Sequence, residues 1–373
     1  MKFVFVVQGE GRGHFTQALV MSEMLRKRGD LVLAVLVGKS PVRRLPDYFT
    51  SKINAPVFTF ESPNFLPAAQ NKRPGLLKSI FSNVRKLPRF YKSMRFIRSR
   101  IDELQPDIVI NFYELLTGLT YFFMPPAVPQ VCIGHQYLFL HPEFRFPRQA
   151  SRLQLFSLRF FSRLTCLGAT RKLALSFYPL DEGREEGIGV VPPLIRPEIR
   201  KCKPCRKDFI LGYLLNSGYV DEVREWHRQH PAVSLHFFWD MKDAPPVYDL
   251  EPCLTLHRIH DTSFVEHMTD CCAYATTAGF ESVCEAMYLQ KPVLMIPVHI
   301  EQECNAYDAY RAGAGIVADS FALDRLLHLI PEFQGNAEFC AWAEQAEQKM
   351  YAELSAVYYG ESAKAMAFQA FNP

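Results

Sequence analysis

Apolar residues follow two different rhythms along this chain, and the change from one to the other marks its elements. Residues 3–7 (Phe-Val-Phe-Val-Val) and 31–37 (Leu-Val-Leu-Ala-Val-Leu-Val) are unbroken apolar runs. Runs of that length without polar alternation fit strands buried on both faces of a parallel sheet. Between them Phe15, Ala18, Leu19, Ser22 and Leu25 make one helix face, and Gly29 ends the helix. The same reading predicts strands at 107–111, 128–133 and 173–177 in the first half. In the second half it predicts strands at 209–215, 235–239, 254–257, 273–276 and 292–298, with helices over 221–229, 306–312 and 338–370. Strands alternating with helices imply a doubly wound α/β fold.

Prolines divide the pattern. Pro192, Pro193, Pro197 and Pro204 fall in a stretch with no helical period. The expected organisation is a first domain over residues 1–185, a connection over 186–206, a second domain over 207–345 and a C-terminal helix over 346–373. The length of 373 residues suits two domains of ordinary size. Charge follows the same division. Residues 1–180 hold 26 Lys+Arg against 10 Asp+Glu, whereas residues 181–373 hold 16 against 29, so +16 and −13 leave the net +3. Two halves with opposite charge imply different partners.

No apolar run approaches the roughly 20 residues that cross a bilayer, and the apolar start of the chain is too short for a signal peptide. A cytoplasmic chain is the expectation, with its ten cysteines as free thiols. Cys202-Lys-Pro-Cys205 lacks the second pair that a zinc site of that type needs.

The richest chemistry lies at 276–305. Gly279 permits a tight turn into a helix whose apolar stripe is Phe280, Val283, Cys284, Met287 and Tyr288. A helix start offers free N–H groups and the positive end of a dipole, which suits a phosphate. Ser282 and Glu285 share the opposite face, with Glu285 placed to accept hydrogen bonds from ribose hydroxyls. The strand that follows is expected to deliver a loop with Glu301 and Gln302, short polar groups that suit sugar hydroxyls, and then Asn305. Phosphate, ribose and hexose sites within thirty residues describe a nucleotide-sugar pocket. No Asp-x-Asp occurs, so a metal-held diphosphate is not supported and activity is expected to survive chelation; no cofactor or metal is expected.

The order Gly-aromatic-x-Ser-x-x-Glu, Lys-Pro, Pro, Glu-Gln-x-x-Asn resembles the donor motif of GT-B glycosyltransferases. In this respect it is similar to the UDP-glucuronosyltransferases and to the enzyme that adds N-acetylglucosamine to lipid I in peptidoglycan synthesis. Thr277 stands where many relatives have His or Ser, and Glu301 where many have Asp. The resemblance implies two Rossmann-like domains facing across a cleft, with donor contacts from Thr277, Gly279, Phe280, Ser282, Glu285, Glu301, Gln302 and Asn305. It also implies a final helix that packs back on the first domain.

Near the N-terminus, Gly9, Gly11 and Gly13 precede His14. The spacing fails the dinucleotide pattern G-x-G-x-x-G. Gly11-Arg12-Gly13-His14 resembles instead the Gly-Gly-His loop of the peptidoglycan enzyme. Gly11 and Gly13 would let backbone approach a diphosphate. His14 has three readings: general base for an inverting transfer, a binding or positioning group, or a structural cap. Imidazole has a reference pKa of about 6.5, which matches the task of a base. Arg12, His135 and Gln136 are candidates for the acceptor side.

Two basic segments interleave apolar residues with Lys and Arg and contain no acid, at 72–100 and 145–172. They fit an anionic membrane face or a lipid-linked acceptor, or else ordinary helices with solvated charges. No motif for nucleic acid accompanies them. The expected activity is inverting, metal-independent transfer of a hexose from a nucleotide sugar, UDP-linked by resemblance, to a cell-envelope or glycolipid-type acceptor. Peripheral contact with the inner face of the cytoplasmic membrane would follow. Two alternatives share the architecture, a nucleotide-sugar 2-epimerase and a non-catalytic binding subunit.

Overall fold

The computed structural model describes residues 1–40, 44–63, 86–181, 187–203, 205–214, 217–241 and 245–371, the last turns from 361 as backbone alone. The basic residues from Lys72 to Arg85 therefore lie outside the described residues.

The first sheet contains β1 (Lys2–Gln8), β2 (Leu31–Lys39), β3 (Val57–Glu61), β4 (Ile108–Phe112), β5 (Gln130–Gly134), β6 (Arg171–Leu175) and β7 (Ile188–Val191). Their order is β3-β2-β1-β4-β5-β6-β7, all parallel. The second contains β8 (Ile210–Leu214), β9 (Leu235–Trp239), β10 (Val247–Glu251), β11 (Leu254–Arg258), β12 (Ala273–Thr276), β13 (Val293–Met295) and β14 (Gly315–Val317), ordered β10-β11-β9-β8-β12-β13-β14. Only the β10–β11 pairing is antiparallel among these. These are two Rossmann-like domains. In such sheets ligands sit where the strand order reverses, beyond the C-terminal strand ends. The reversals fall between β1 and β4 and between β8 and β12. The turn carrying Gly11, Gly13 and His14 follows β1, and the turn carrying Thr277 and Gly279 follows β12.

Of the elements that differ from the sequence reading, three have a plain local reason. β7 lies inside the stretch expected to be a connection, because four residues ended by Pro192 and Pro193 are too few to show a period. The strand expected over 292–298 stops at Met295, since Pro297 has no N–H to continue the ladder. Glu301 and Gln302 then stand in the first turn of helix Ile300–Arg311 rather than in a loop. Acids in a first turn complement the helix dipole, and Glu301 and Glu303 supply that signal.

The core runs across both domains. Phe177 of the first packs on Phe280 of the second, ring centroids 4.8 Å apart, and Phe339 lies beyond. The C-terminal segment crosses back: Trp342 is buried and donates its indole N–H to the Ser176 carbonyl at 2.9 Å. Arg171 and Glu353 add a bidentate pair at 2.8 and 3.0 Å. Trp342→Ala should lower unfolding free energy by about 3–5 kcal/mol, read from urea denaturation; a loss below about 1 kcal/mol would contradict this role for the indole.

Candidate active site in the interdomain cleft

The cavity of about 210 Å³ between the domains is lined from one side by Arg12, Gly13, Thr16 and Tyr48, and from the other by Thr277, Gly279, Glu281, Ser282, Glu285 and Gln302 among others. Both glycine turns thus meet at one space. Helix Phe280–Tyr288 begins at Gly279, where a Cβ would meet nothing nearer than Ser282 Oγ at 3.7 Å. Its first turn therefore opens on the cavity. Ala278, just before it, is fully buried at φ 62°, a left-handed conformation that a side chain disfavours. Asn305 holds that turn by donating to the Ala278 carbonyl at 3.4 Å. Gln302 Oε1 accepts from the Val298 N–H at 3.0 Å, fixing the approach to the helix.

Glu285 is held by an ion pair. Arg196 grips both its oxygens, one at 2.7 Å, and reaches Asp261 at 2.6 Å. A carboxylate held bidentate by a guanidinium keeps its remaining lone pairs for a further donor, and Glu285 still lines the cavity. Phe280 stacks on His135 with centroids 4.0 Å apart, inside the seam between domains.

His14 is buried in the first turn of helix Arg12–Lys27, for which Gly11 is the N-cap. Its Nδ1 faces Gln17 Oε1 at 3.4 Å. Gln17 in turn donates its amide N–H to Glu281 of the second domain, which fixes the amide orientation. A carbonyl oxygen only accepts, so Nδ1 carries the proton and Nε2 keeps its lone pair. Burial lowers the His14 pKa, against the Glu301 carboxylate and Gln17, which raise it. Tyr113, itself at φ 59°, stacks on the imidazole at 5.7 Å. Beyond this group, Gln136 donates to Glu301 across the seam at 2.8 Å. His135 and Gln136 belong to a buried 3₁₀ turn, His135–Leu140, directly after β5. His135 Nδ1 donates to the Leu175 carbonyl at 2.7 Å. Burial pushes its pKa down to about 4, opposed by that carbonyl and by Asn305.

The structure therefore forms two neighbouring groups. Arg12, Gly13, Thr277, Gly279, Ser282, Glu285 and Gln302 line the cavity. His14, Gln136 and Glu301 gather beside it with Tyr113. Sequence reasoning missed Glu281, Arg196, Tyr48 and Asp261. Glu281 had a signal, as an acid in the first turn of the proposed phosphate helix. Its carboxylate lies so close to Gly13 that a Cβ there would sit 2.2 Å from Glu281 Oε2. A side chain at residue 13 would require the Glu281 carboxylate to move. Burial pushes the Glu281 pKa up to about 7, with Glu285 and Glu301 adding to the rise and Gln17 opposing it.

The two Rossmann-like domains, with glycine turns from both meeting at a shared cavity, define a GT-B glycosyltransferase. A family model described as Glycosyl transferase family 1 matches residues 1–333, and the chain belongs to that family. Curated proteins give no match to the sequence. Among solved structures, the glycosyltransferase SnogD from Streptomyces nogalater is similar at TM-score 0.57 and 15% identity, over 96% of this chain and 99% of that one. Phytolacca americana UGT2, complexed with UDP-2-fluoro-glucose and pterostilbene, gives TM-score 0.60 at 12% identity over 94% and 93%. Medicago truncatula UGT71G1, complexed with UDP-glucose, gives 0.60 at 12% over 93% of each chain. At these identities the likeness is one of fold.

Because the folded protein holds the Glu281 proton to about pH 7 and an ordinary glutamate loses it near 4.5, stability should fall as pH rises through that window. Glu281→Gln should flatten that segment of a stability-versus-pH curve from denaturant titrations. Parallel curves for variant and wild type would contradict the assignment.

Proposed function

We propose that this glycosyltransferase moves a hexose from a UDP-linked sugar to a lipid-linked or other cell-envelope acceptor, with inversion and without a metal. The observation that carries this reading is the start of helix Phe280–Tyr288 opening into the interdomain cavity. The diphosphate would lie against that helix start, with Arg12 facing it from the first domain. A nucleoside diphosphate leaves with growing negative charge, and preorganised N–H groups stabilise such charge without a proton. The absence of Asp-x-Asp from the sequence supports a site that uses no metal. The UDP-glucose and UDP-2-fluoro-glucose complexes of the two plant structures support a UDP-linked donor.

In this reading His14 Nε2 takes the proton of the acceptor hydroxyl as its oxygen attacks the anomeric carbon. The bond from that carbon to the diphosphate oxygen breaks on the opposite face. Lowered basicity keeps the imidazole neutral at physiological pH, which is the form a base needs. Gln17 holds the required tautomer and couples it to Glu281 across the cleft.

The acceptor class rests on the first domain's surface. Helix Leu87–Leu104 is an ordinary amphipathic helix: Phe90, Met94, Ile97 and Ile101 are buried, and Arg98 and Arg100 pair with Asp102 and Glu103. Helix Arg152–Thr165 is different. Leu153, Phe156 and Phe160 are exposed beside Arg152 and Arg163, and Phe122 and Phe123 of a neighbouring helix are exposed too. Exposed aromatic residues among arginines suit the interface of an anionic bilayer. No helix among the described residues is long and apolar enough to cross a membrane.

His14→Ala should lower kcat by about 10²–10⁴ while calorimetric affinity for the UDP-sugar stays within a few-fold, and acceptor-dependent UDP release should survive EDTA. Turnover kept within a few-fold would remove His14 as base, and loss on chelation with an unchanged melting temperature would remove metal independence of the transfer step. In flotation with phosphatidylglycerol vesicles, wild-type protein should rise with the lipid and Phe156→Ser/Phe160→Ser should remain below. Equal behaviour of the two proteins would contradict membrane contact.

A further inference from the structure

Three histidines outside the cleft converge on one point of the second domain. The register of β9 and β11 sets Thr255 beside His236 and His257 beside Phe238. Alternation along a strand then puts His236 and His257 on the same face, one step apart on the diagonal. The other face carries Leu235 and Phe237, both fully buried in the core. Helix Asp261–Asp270 contributes His267, whose ring centroid lies 5.3 Å from that of His236 and 4.6 Å from that of His257. One ring nitrogen from each of the three lies within 4.8 Å of the others.

We infer that His236, His257 and His267 form a binding site for a first-row divalent cation, Zn²⁺ above all. Three imidazoles with a fourth position left to water are a recurrent zinc environment, with Zn–N near 2.0–2.1 Å and thus neighbouring nitrogens about 3.4 Å apart. His236 Nδ1 and His257 Nε2 are already 2.9 Å apart and aimed at each other. They need part by only about half an ångström to admit an ion. His267 Nδ1 donates to the Ser263 carbonyl at 2.8 Å. That bond fixes the tautomer and leaves Nε2 bare, which is the outer-shell arrangement typical of a metal-ligating histidine.

Metal binding needs each imidazole neutral at its ligating nitrogen. The proton shared between His236 Nδ1 and His257 Nε2 would move to the remote nitrogen of its own ring, with no net release. Phe209 and Phe238 wall the cluster.

The ion's role would be structural. None of the three ligands lines the cleft, but the segments they anchor do. β11 runs directly into Ile259 and His260, and the helix carrying His267 presents Asp261 and Phe264 to the cavity. A metal here would fasten one wall of the cavity to the sheet. The inference does not depend on which sugar or acceptor the enzyme uses.

The test is titration of metal-stripped full-length protein with Co²⁺ alone, then displacement by Zn²⁺. Wild type should bind one equivalent, with visible absorption of a nitrogen-ligated low-coordinate Co²⁺, and Zn²⁺ should raise its melting temperature. His267→Gln and His236→Asn, checked for native circular dichroism, should each weaken Zn²⁺ binding by at least about 10–100-fold, the loss that removal of even an outer-shell partner causes. Should either variant misfold, zinc-edge X-ray absorption on wild type reads the ligands directly and should show three imidazole nitrogens. Absence of stoichiometric binding would overturn the proposal. So would binding unchanged in both variants, or a near-ultraviolet thiolate band that places the ion on Cys202 and Cys205.

Discussion

Helix Phe280–Tyr288 meets two opposed demands in its first turn. Phe280 has to be buried between the domains, against His135 and Phe177, while Gly279 and Ser282 have to stay open to the cleft. Both are met because the chain reaches the helix through the left-handed Ala278, which swings Gly279 outward as the next side chain turns in. The conformation is unfavourable for a residue with a Cβ. It persists because Ala278 is fully buried and its carbonyl is held by Asn305. The geometry of the cavity therefore rests on packing at the seam rather than on the glycine alone.

Charge across the cleft is arranged around the same turn. Arg196 leaves the segment between the two sheets and ties Glu285 to Asp261, and Lys52 of the first domain reaches Asp261 and Glu198 at 2.7 and 2.8 Å. Buried acids without such partners would cost several kcal/mol. Among the described residues no arginine pairs with Glu281, which retains its proton to about neutral pH. The cavity thus presents Arg12 and a helix start with less opposing charge than its list of acids suggests, which suits an anionic ligand.

Much of this was legible in the sequence because parallel strands are written as continuous apolar runs. The runs at 3–7 and 31–37 lie within β1 and β2, and both glycine turns fall at the strand-order reversals. Side-chain partners were less legible. Glu285 looked unpaired because its partner, Arg196, lies 89 residues away in a proline-rich stretch without a period. Phe280 entered the donor set through the motif, which does not show the His135 ring stacked on it. The basic stretches read alike, yet the described part of the first buries Phe90, Met94, Ile97 and Ile101, whereas the second packs Leu155, Leu158 and Phe161 and leaves Leu153, Phe156 and Phe160 exposed. The histidine cluster left no mark, since His236, His257 and His267 meet only through strand register and the return of a helix.

The most direct measurement is the affinity of Gly279→Leu for a UDP-sugar by titration calorimetry. Gly279 has φ −68° and ψ 130°, which any residue adopts, and open space at its Cβ, so the variant should fold with an unchanged melting temperature. Its side chain would stand before the helix start. Affinity at least about 100-fold weaker, the loss of close to 3 kcal/mol, is the predicted result; affinity equal to wild type in a fully folded variant would contradict a donor held at that turn.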